Sequence, residues 1–497
     1  MSDRAELEPA SKTRPAGASV TPVHKDGFVP WILAAVLAVV WTVVACGRWR
    51  ITYARSVDLG YFDHAAWLIR HGKPLFITDR GLPLLADHFS PIIYPIAFVT
   101  AIVPGGLGLL VFQSIALGLV VVPVWFLARR HGGVEPRLAL VVVALVALFP
   151  ACWNLALSGF HPEVAMVPVI PAAILALLER RWWWFAVACG VLLATKEDFA
   201  LLVLGLGIVA LVYGHRRVAA ITSAVALGWL VVVVGVVMPA LNGGDFAQSQ
   251  RFRQYGGDTG EILRFLVHHP WRVVTDLSTM QNLTLVLALL VPLSLLPLVG
   301  WRVVVAIVPV QWALLLTNQP TAHLVRYHYT AAATGVLLAA AAIGFGAVLG
   351  SRLLSTRALV VVVLVVGAFG WVWWSELGKV SGDRQWRNSG AIEDARKHAL
   401  DRVPSHAPVA VTSELADAFS GRQFVYTFPQ PFTYWREPKH TGHTVDDRVA
   451  AIDWVVVDTN SAWVWPGDRD HFVNEMLPTR GFHEVSDEAG VLVFARP

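Results

Sequence analysis

Long apolar runs broken by short polar interruptions fill residues 28–374, and beyond residue 382 the apolar positions recur at shorter, mixed periods. A membrane-spanning helix needs about 20 apolar residues, or about 17 at the short end. Runs of that kind, some of them short, occupy residues 28–47, 107–128, 138–158, 164–178, 182–195, 199–213, 218–240, 283–299, 303–317, 329–350 and 358–374. The pattern therefore predicts a polytopic α-helical membrane protein of about 11 transmembrane helices. Residues 90–104 are apolar but broken by Pro91 and Pro95, and are expected to lie in the interface or dip into it. If they cross fully, the count becomes twelve.

Basic clusters stay on the cytoplasmic side of a membrane. Arg129 and Arg130, Arg180 and Arg181, Arg216 and Arg217, Arg302, and Arg352 with Arg357 fall on every second connection. This alternation predicts a cytoplasmic amino terminus and an extracytoplasmic carboxyl terminus. Residues 1–27, rich in Pro, Ala, Ser and charge, read as a disordered cytosolic tail. No small-residue cleavage site follows, so residues 28–47 read as an anchor rather than a removable signal. The outer face then collects residues 48–89 and 241–281, two long connections, with shorter ones at 159–163, 196–198 and 318–328. Long loops usually carry function. Many of the 21 tryptophans sit near predicted span ends, as interfacial belts require.

Residues 28–381 thus form the membrane domain, with a large first outer loop at 48–89. Residues 382–497 form a small extracytoplasmic α/β domain. Within it, residues 392–403 and 469–477 read as helices and 409–413, 424–428, 454–458 and 491–495 as strands.

Composition narrows the class. Only 15% of the 497 residues are charged and 56% are hydrophobic, with a mean hydropathy of +0.57, whereas soluble proteins carry roughly 25% charged residues. The net charge of +4 is too balanced for a nucleic-acid footprint. No Walker or GxGxxG motif occurs, so no nucleotide cofactor is expected. Cys46, Cys152 and Cys189 all lie in apolar runs and form no ligand spacing.

The outer connections hold the candidate chemistry, because charges at membrane depth are costly and tend to mark pathways or reactions. The first loop carries Asp58 and Asp63, then Asp87 and His88 at its end. Asp58 stands at the predicted start of a helix, so it is either a helix cap or a functional acid. His161 and Glu163 follow in the second connection, as a metal pair, an acid–base pair or interfacial polar residues. Lys196, Glu197 and Asp198 form either a self-neutralising turn or a phosphate-holding cluster. Arg326 and His328 open a span from the outer side beside Tyr327 and Tyr329, which suits a phosphate or sugar as well as an aromatic belt.

DLGYFD, ADHFSP, FHPE, TKEDFALL and RYHY occur in this order between apolar spans. This succession resembles the bacterial predicted membrane proteins grouped as domain of unknown function 2079. The likeness runs through the VVVD strand to a final hairpin ending LVFAR. That family is in turn similar, distantly, to the glycosyltransferase C superfamily, membrane enzymes that use polyprenyl-phosphate sugars. The second resemblance implies a glycosyltransferase C-like fold with an acid in the first outer loop near the reacting sugar. Asp58 matches that position. Many relatives carry a second acid directly beside the first, where this chain has Leu59, and Asp63 is the nearest candidate.

The implied reaction is transfer of a hexosyl or pentosyl group from a polyprenyl-phosphate donor to an extracytoplasmic glycan, lipid or protein at the bacterial plasma membrane. Asp58 would act as base; Lys196, Arg326 and His328 would hold phosphate. Asp63, Asp87, His88, His161 and Glu163, with Glu197 and Asp198, would orient groups of the substrate. A divalent cation is possible chemistry for this set, with its ligands unassigned. The competing classes are a transporter or flippase of lipid-linked or polar cargo and a non-catalytic envelope assembly factor. A transporter would usually show inverted repeats and midplane charges, and neither is visible.

Overall fold

The computed structural model describes residues 27–52, 57–103, 105–244, 246–377, 390–433, 442–460 and 470–497. The predicted tail at 1–27 and the domain boundary near 382 fall, but for Gly27, outside the described residues. Among the described residues, five helices are long and apolar enough to cross a membrane: Val29–Trp49, Gly106–Arg130, Arg216–Leu241, His328–Ser351 and Thr356–Trp374. Two bent pairs, Pro136–Leu148 with Pro150–Leu157 and Pro270–Leu277 with Met280–Leu293, bring the number to seven if each counts as one span. Ile93–Ile102, Val169–Leu178, Trp182–Leu193, Phe199–Val212 and Trp301–Leu315 are shorter apolar helices.

Proline accounts for much of the difference from eleven full spans. In the first bent pair, Phe149 is extended because it precedes Pro150, which starts a new helix at an angle of 46°. Pro292 and Pro297 break the run at 283–299 into short pieces, with Ser294 and Leu295 in left-handed backbone between them. Ile93–Ile102, from the stretch expected to dip or lie flat, has ten residues; at about 1.5 Å per residue it reaches about half of the hydrocarbon thickness.

His328–Ser351 is the central helix, and its small residues explain how neighbours reach it. A Cβ on Gly346 would lie 1.9 Å from the carbonyl oxygen of Gly132. Glycine is therefore required by that close approach, a common device where helices pack within lipid.

On the site's side of the bundle, α2 (Val57–Arg70) follows α1 (Val29–Thr52). A small hairpin, β1 (Phe76–Ile77) with β2 (Leu82–Pro83), comes next. The carboxyl-terminal domain holds a five-stranded sheet of β3 (Val409–Val411), β4 (Val425–Thr427), β5 (Trp454–Asp458), β6 (His483–Glu488) and β7 (Val491–Ala495), in the order β4-β3-β5-β7-β6. β3 is parallel to β4 and β5, and β7 is antiparallel to β5 and β6. Alternation sends Val409, Val411, Val456 and Val493 into one core with Ala395 and Ala399 of helix Gly390–Arg402. It sends Ala410, Val455, Val457 and Phe494 into the opposite core with Val449 and Leu477.

This domain is seated on the first loop. Trp49 Nε1 donates to Asp417 Oδ2 at 3.0 Å, and the amide of Val425 donates to Thr78 Oγ1 at 3.1 Å. A Cβ on Gly60 would meet Ala416 and the Asp417 amide at 2.8 Å, so α2 and the domain touch backbone to backbone.

Candidate functional site

Asp58 lies in the first turn of α2, which begins at Val57, so it is a member of the helix. It meets the second connection, whose shape is set by Gln113. That fully buried side chain donates from Nε2 to the carbonyls of Leu155 (3.2 Å) and Gly159 (2.6 Å), and its Oε1 accepts from the His161 amide at 2.8 Å. His161 is thereby fixed ahead of the short helix Pro162–Ala165. Its Nε2 lies 3.4 Å from Asp58 Oδ2, and its ring stacks on His328 at 3.7 Å between centroids.

His161 is only 3% exposed; beyond the 3.4 Å contact of Nε2 with Asp58 its ring has no polar partner, and Nδ1 makes no hydrogen bond, among the described residues. An unsatisfied buried donor or acceptor costs about 1–3 kcal/mol, which points to a ligand as the missing partner. One ligand atom each from Asp58, His161 and His328 lies within 4.8 Å of the others. Two imidazoles and a carboxylate with room for further ligands are a donor set that suits zinc or a similar divalent ion.

Glu163 and Lys196 form a buried ion pair, Nζ to Oε1 3.0 Å, and His328 Nε2 lies 3.8 Å from the same oxygen. Burial raises the Glu163 carboxyl, but Lys196 and then His161 pull it down to about 2. Burial works against the Lys196 ammonium, yet Glu163 raises its pKa above the ordinary value. For Asp58, enclosure raises the pKa and the His161 imidazole lowers it; the net direction is downward. Since 54% of its side chain is exposed, solvent weakens the first effect, and the carboxylate is ionised at neutral pH.

The hairpin adds groups that sequence reasoning did not single out. Asp79 and Arg80 occupy the β1–β2 turn, and Arg80 Nε donates to Asp87 Oδ2 at 3.0 Å. Tyr61 Oη donates to the same oxygen at 3.2 Å. Gln248 Nε2 donates to the Asp87 carbonyl (2.8 Å) and Oδ1 (2.9 Å). Arg251 and Lys196 both face the Tyr329 ring, at 5.8 and 5.7 Å from its centroid. Their signal was faint: Asp79 and Arg80 belong to a turn without motif character, and Arg251 belongs to a long connection with several arginines.

These groups surround one cavity of ≈ 220 Å³. Of the expected site residues, Asp58, Asp87, His88, His161, Glu163, Lys196 and His328 line it. Arg80, Arg251, Gln319 and Tyr329 line it as well. Glu197 is not part of the lining; its Oε1 contacts His88 Nδ1 at 3.1 Å and its Oε2 accepts from the Phe89 amide at 3.1 Å. Asp198 stands outside the cavity too, and burial pushes its carboxyl up to about 6. Asp63 is buried at the docked domain, where Ser420 Oγ donates to it. Arg326 pairs instead with Glu376, Nε to Oε2 3.4 Å, and does not line the cavity.

Multi-span helical membrane proteins with acids and bases converging on one cavity beside an α/β domain form the class into which this geometry falls. The chain belongs to the predicted membrane protein family, domain of unknown function 2079, whose model matches residues 52–479. The fold is similar to that of ArnT from Cupriavidus metallidurans. Its crystal structure bound to undecaprenyl phosphate superposes with a TM-score of 0.53 at 11% identity, covering 94% of this chain and 98% of that one. Its apo structure gives 0.54 at 13% identity, with the same coverage. The sequence matches none of the curated proteins.

Proposed function

We propose that this protein is a membrane glycosyltransferase that moves a sugar from a polyprenyl-phosphate donor to an extracytoplasmic acceptor of the cell envelope. The observation that carries the reading is the meeting of an ionised carboxylate, Asp58, with the cations Lys196 and Arg251 around one cavity. Such a transfer needs a base for the acceptor hydroxyl and positive charge for the departing phosphate. Asp58 takes the proton. Lys196 keeps two N–H donors beyond its bond to Glu163, and Arg251 supplies a second cation. His88, held by Glu197, and Asp87, held by Arg80 and Gln248, orient sugar hydroxyls. The fold shared with a protein crystallised on undecaprenyl phosphate supports a lipid phosphate as the donor class.

Asp58, His161 and His328 would hold the divalent cation, which adds positive charge when bound. Protein purified without chelator and dialysed against zinc is expected to retain a single ion by elemental analysis, and His161→Ala to retain none. Equal metal content in the two would remove this ligand set.

The reaction is tested in membranes by following radiolabelled sugar from polyprenyl-phosphate donors to acceptors. Transfer above that of a strain lacking the protein is expected. Its absence with all hexosyl and pentosyl donors would move the transporter or assembly-factor reading ahead.

The site is proposed to face outward, with both the carboxyl-terminal domain and the cavity extracytoplasmic. Gly421 is exposed on that domain and Arg137 at the other end of the bundle. In whole cells, Gly421→Cys is expected to react with an impermeant thiol reagent and Arg137→Cys to stay unlabelled. The reverse pattern would place the cavity in the cytosol.

A further inference from the structure

The connection at 241–281 is not uniformly polar once folded. Asp258 caps helix Thr259–His268 by accepting from the Glu261 amide at 2.9 Å, and Pro270 opens a second helix, Pro270–Leu277. Both helices are apolar on two sides. The inner side, Ile262, Phe265, Leu266, Val273 and Leu277, packs with Tyr255 and Leu316. The outer side carries Leu263, Val267, Trp271 and Val274, followed by Met280 at the start of the next helix. Val267, Trp271 and Met280 are 74%, 76% and 75% exposed. A water-facing loop has no use for this second apolar side, and an exposed Trp on an amphipathic helix is the usual mark of a membrane interface.

Position in the chain supplies the occupant. Met280–Leu293 is an apolar span segment that meets Pro270–Leu277 at a bend of 58°, so the pair is covalently held at the level where that span leaves the bilayer. Arg264 flanks the apolar stripe with positive charge, and Arg272, paired with Asp276 at 3.2 Å, lies beside it, polar groups suited to lipid headgroups. We propose that residues 259–280 lie in the membrane–water interface on the site's side, with Leu263, Val267, Trp271, Val274 and Met280 inserted among phospholipid acyl chains.

The anchored pair has a structural consequence for the cavity. Tyr255 and Phe252 pack on its inner side, and the segment Ala247–Phe252, which ends on that phenylalanine, carries Gln248 and Arg251 to the cavity. Lipid contact therefore fixes the height of Arg251 relative to the bilayer.

The test uses the wild-type chain in nanodiscs containing phosphatidylcholine with a photoactivatable diazirine in its acyl chain, followed by peptide mass spectrometry. Adducts on Val267, Trp271 and Met280 are expected at yields comparable to those on Leu283 and Leu287, exposed residues of the adjoining span, with His268 near background. A water-soluble carbene reagent should give the opposite pattern. Labelling of the span without labelling of Val267 and Trp271 overturns the proposal, whether water or a protein partner covers the face.

Discussion

Asp58→Asn is expected to lower sugar transfer about 100-fold to 10,000-fold, the usual cost of losing a general base, with the protein present in membranes at its normal level. Asn has the size of Asp but no carboxylate to accept a proton. The side chain is 54% exposed at the cavity and lies inside the first turn of α2, so the exchange buries no new group. The contact with His161 at 3.4 Å becomes neutral, which the exposed position tolerates. Asp63→Asn separates chemistry from folding. Asp63 is buried against Ser420 of the docked domain, so its variant should loosen that domain, seen as faster proteolysis, rather than abolish transfer per folded molecule. Transfer by Asp58→Asn at the wild-type rate would show that Asp58 is not the base.

The candidate site was readable because charges are scarce in this chain. Asp58, Asp87, His88, His161, Glu163, Lys196 and His328 each interrupt or border an apolar run, and the topology could be guessed to bring them to one side. Side-chain direction was not readable. Arg326 stands two residues before His328, yet it turns to Glu376 while His328 stacks on His161. Asp63 stands five residues after Asp58 on the same helix, and this spacing puts it on the face that the carboxyl-terminal domain covers. Neither partner, Glu376 nor Ser420, is near in sequence.

The sheet shows the same division. β5 and β7 announced themselves by unbroken apolar runs, because both faces are covered. β6 is His-Glu-Val-Ser-Asp-Glu, an edge strand held by backbone pairing to β7, and its polar residues carried no strand signal of their own. Hydropathy marked the apolar helices, but Pro150, Pro292 and Pro297 break some of the runs, an effect that depends on what packs at each break. The outer apolar stripe at 263–274 was hidden by interleaved arginines and histidines that average to a polar loop.

Lys196 offers the second large effect. Lys196→Met should reduce both transfer and stability, because Lys196 and Glu163 are each about 6% exposed and paired at 3.0 Å. Removing one partner leaves a buried carboxylate without its cation, which typically costs about 3–5 kcal/mol. Replacing both partners by apolar groups of similar volume is often close to neutral. The double variant Glu163→Met with Lys196→Met should therefore recover most of the thermal midpoint in detergent while transfer stays low, since the phosphate has still lost a cation. Acid gives an independent check. Glu163 has its pKa depressed from 4.5 to about 2, so its stabilising contribution is complete above about pH 4.5 and fades as pH falls toward 2. The wild type should lose thermal midpoint over that window more steeply than the double variant. Recovery of transfer along with stability in the double variant would make Lys196 a structural partner of Glu163 and leave Arg251 as the phosphate cation. Failure of the double variant to recover stability would mean that Glu163 is held by more than Lys196, with His328 at 3.8 Å the next group to change.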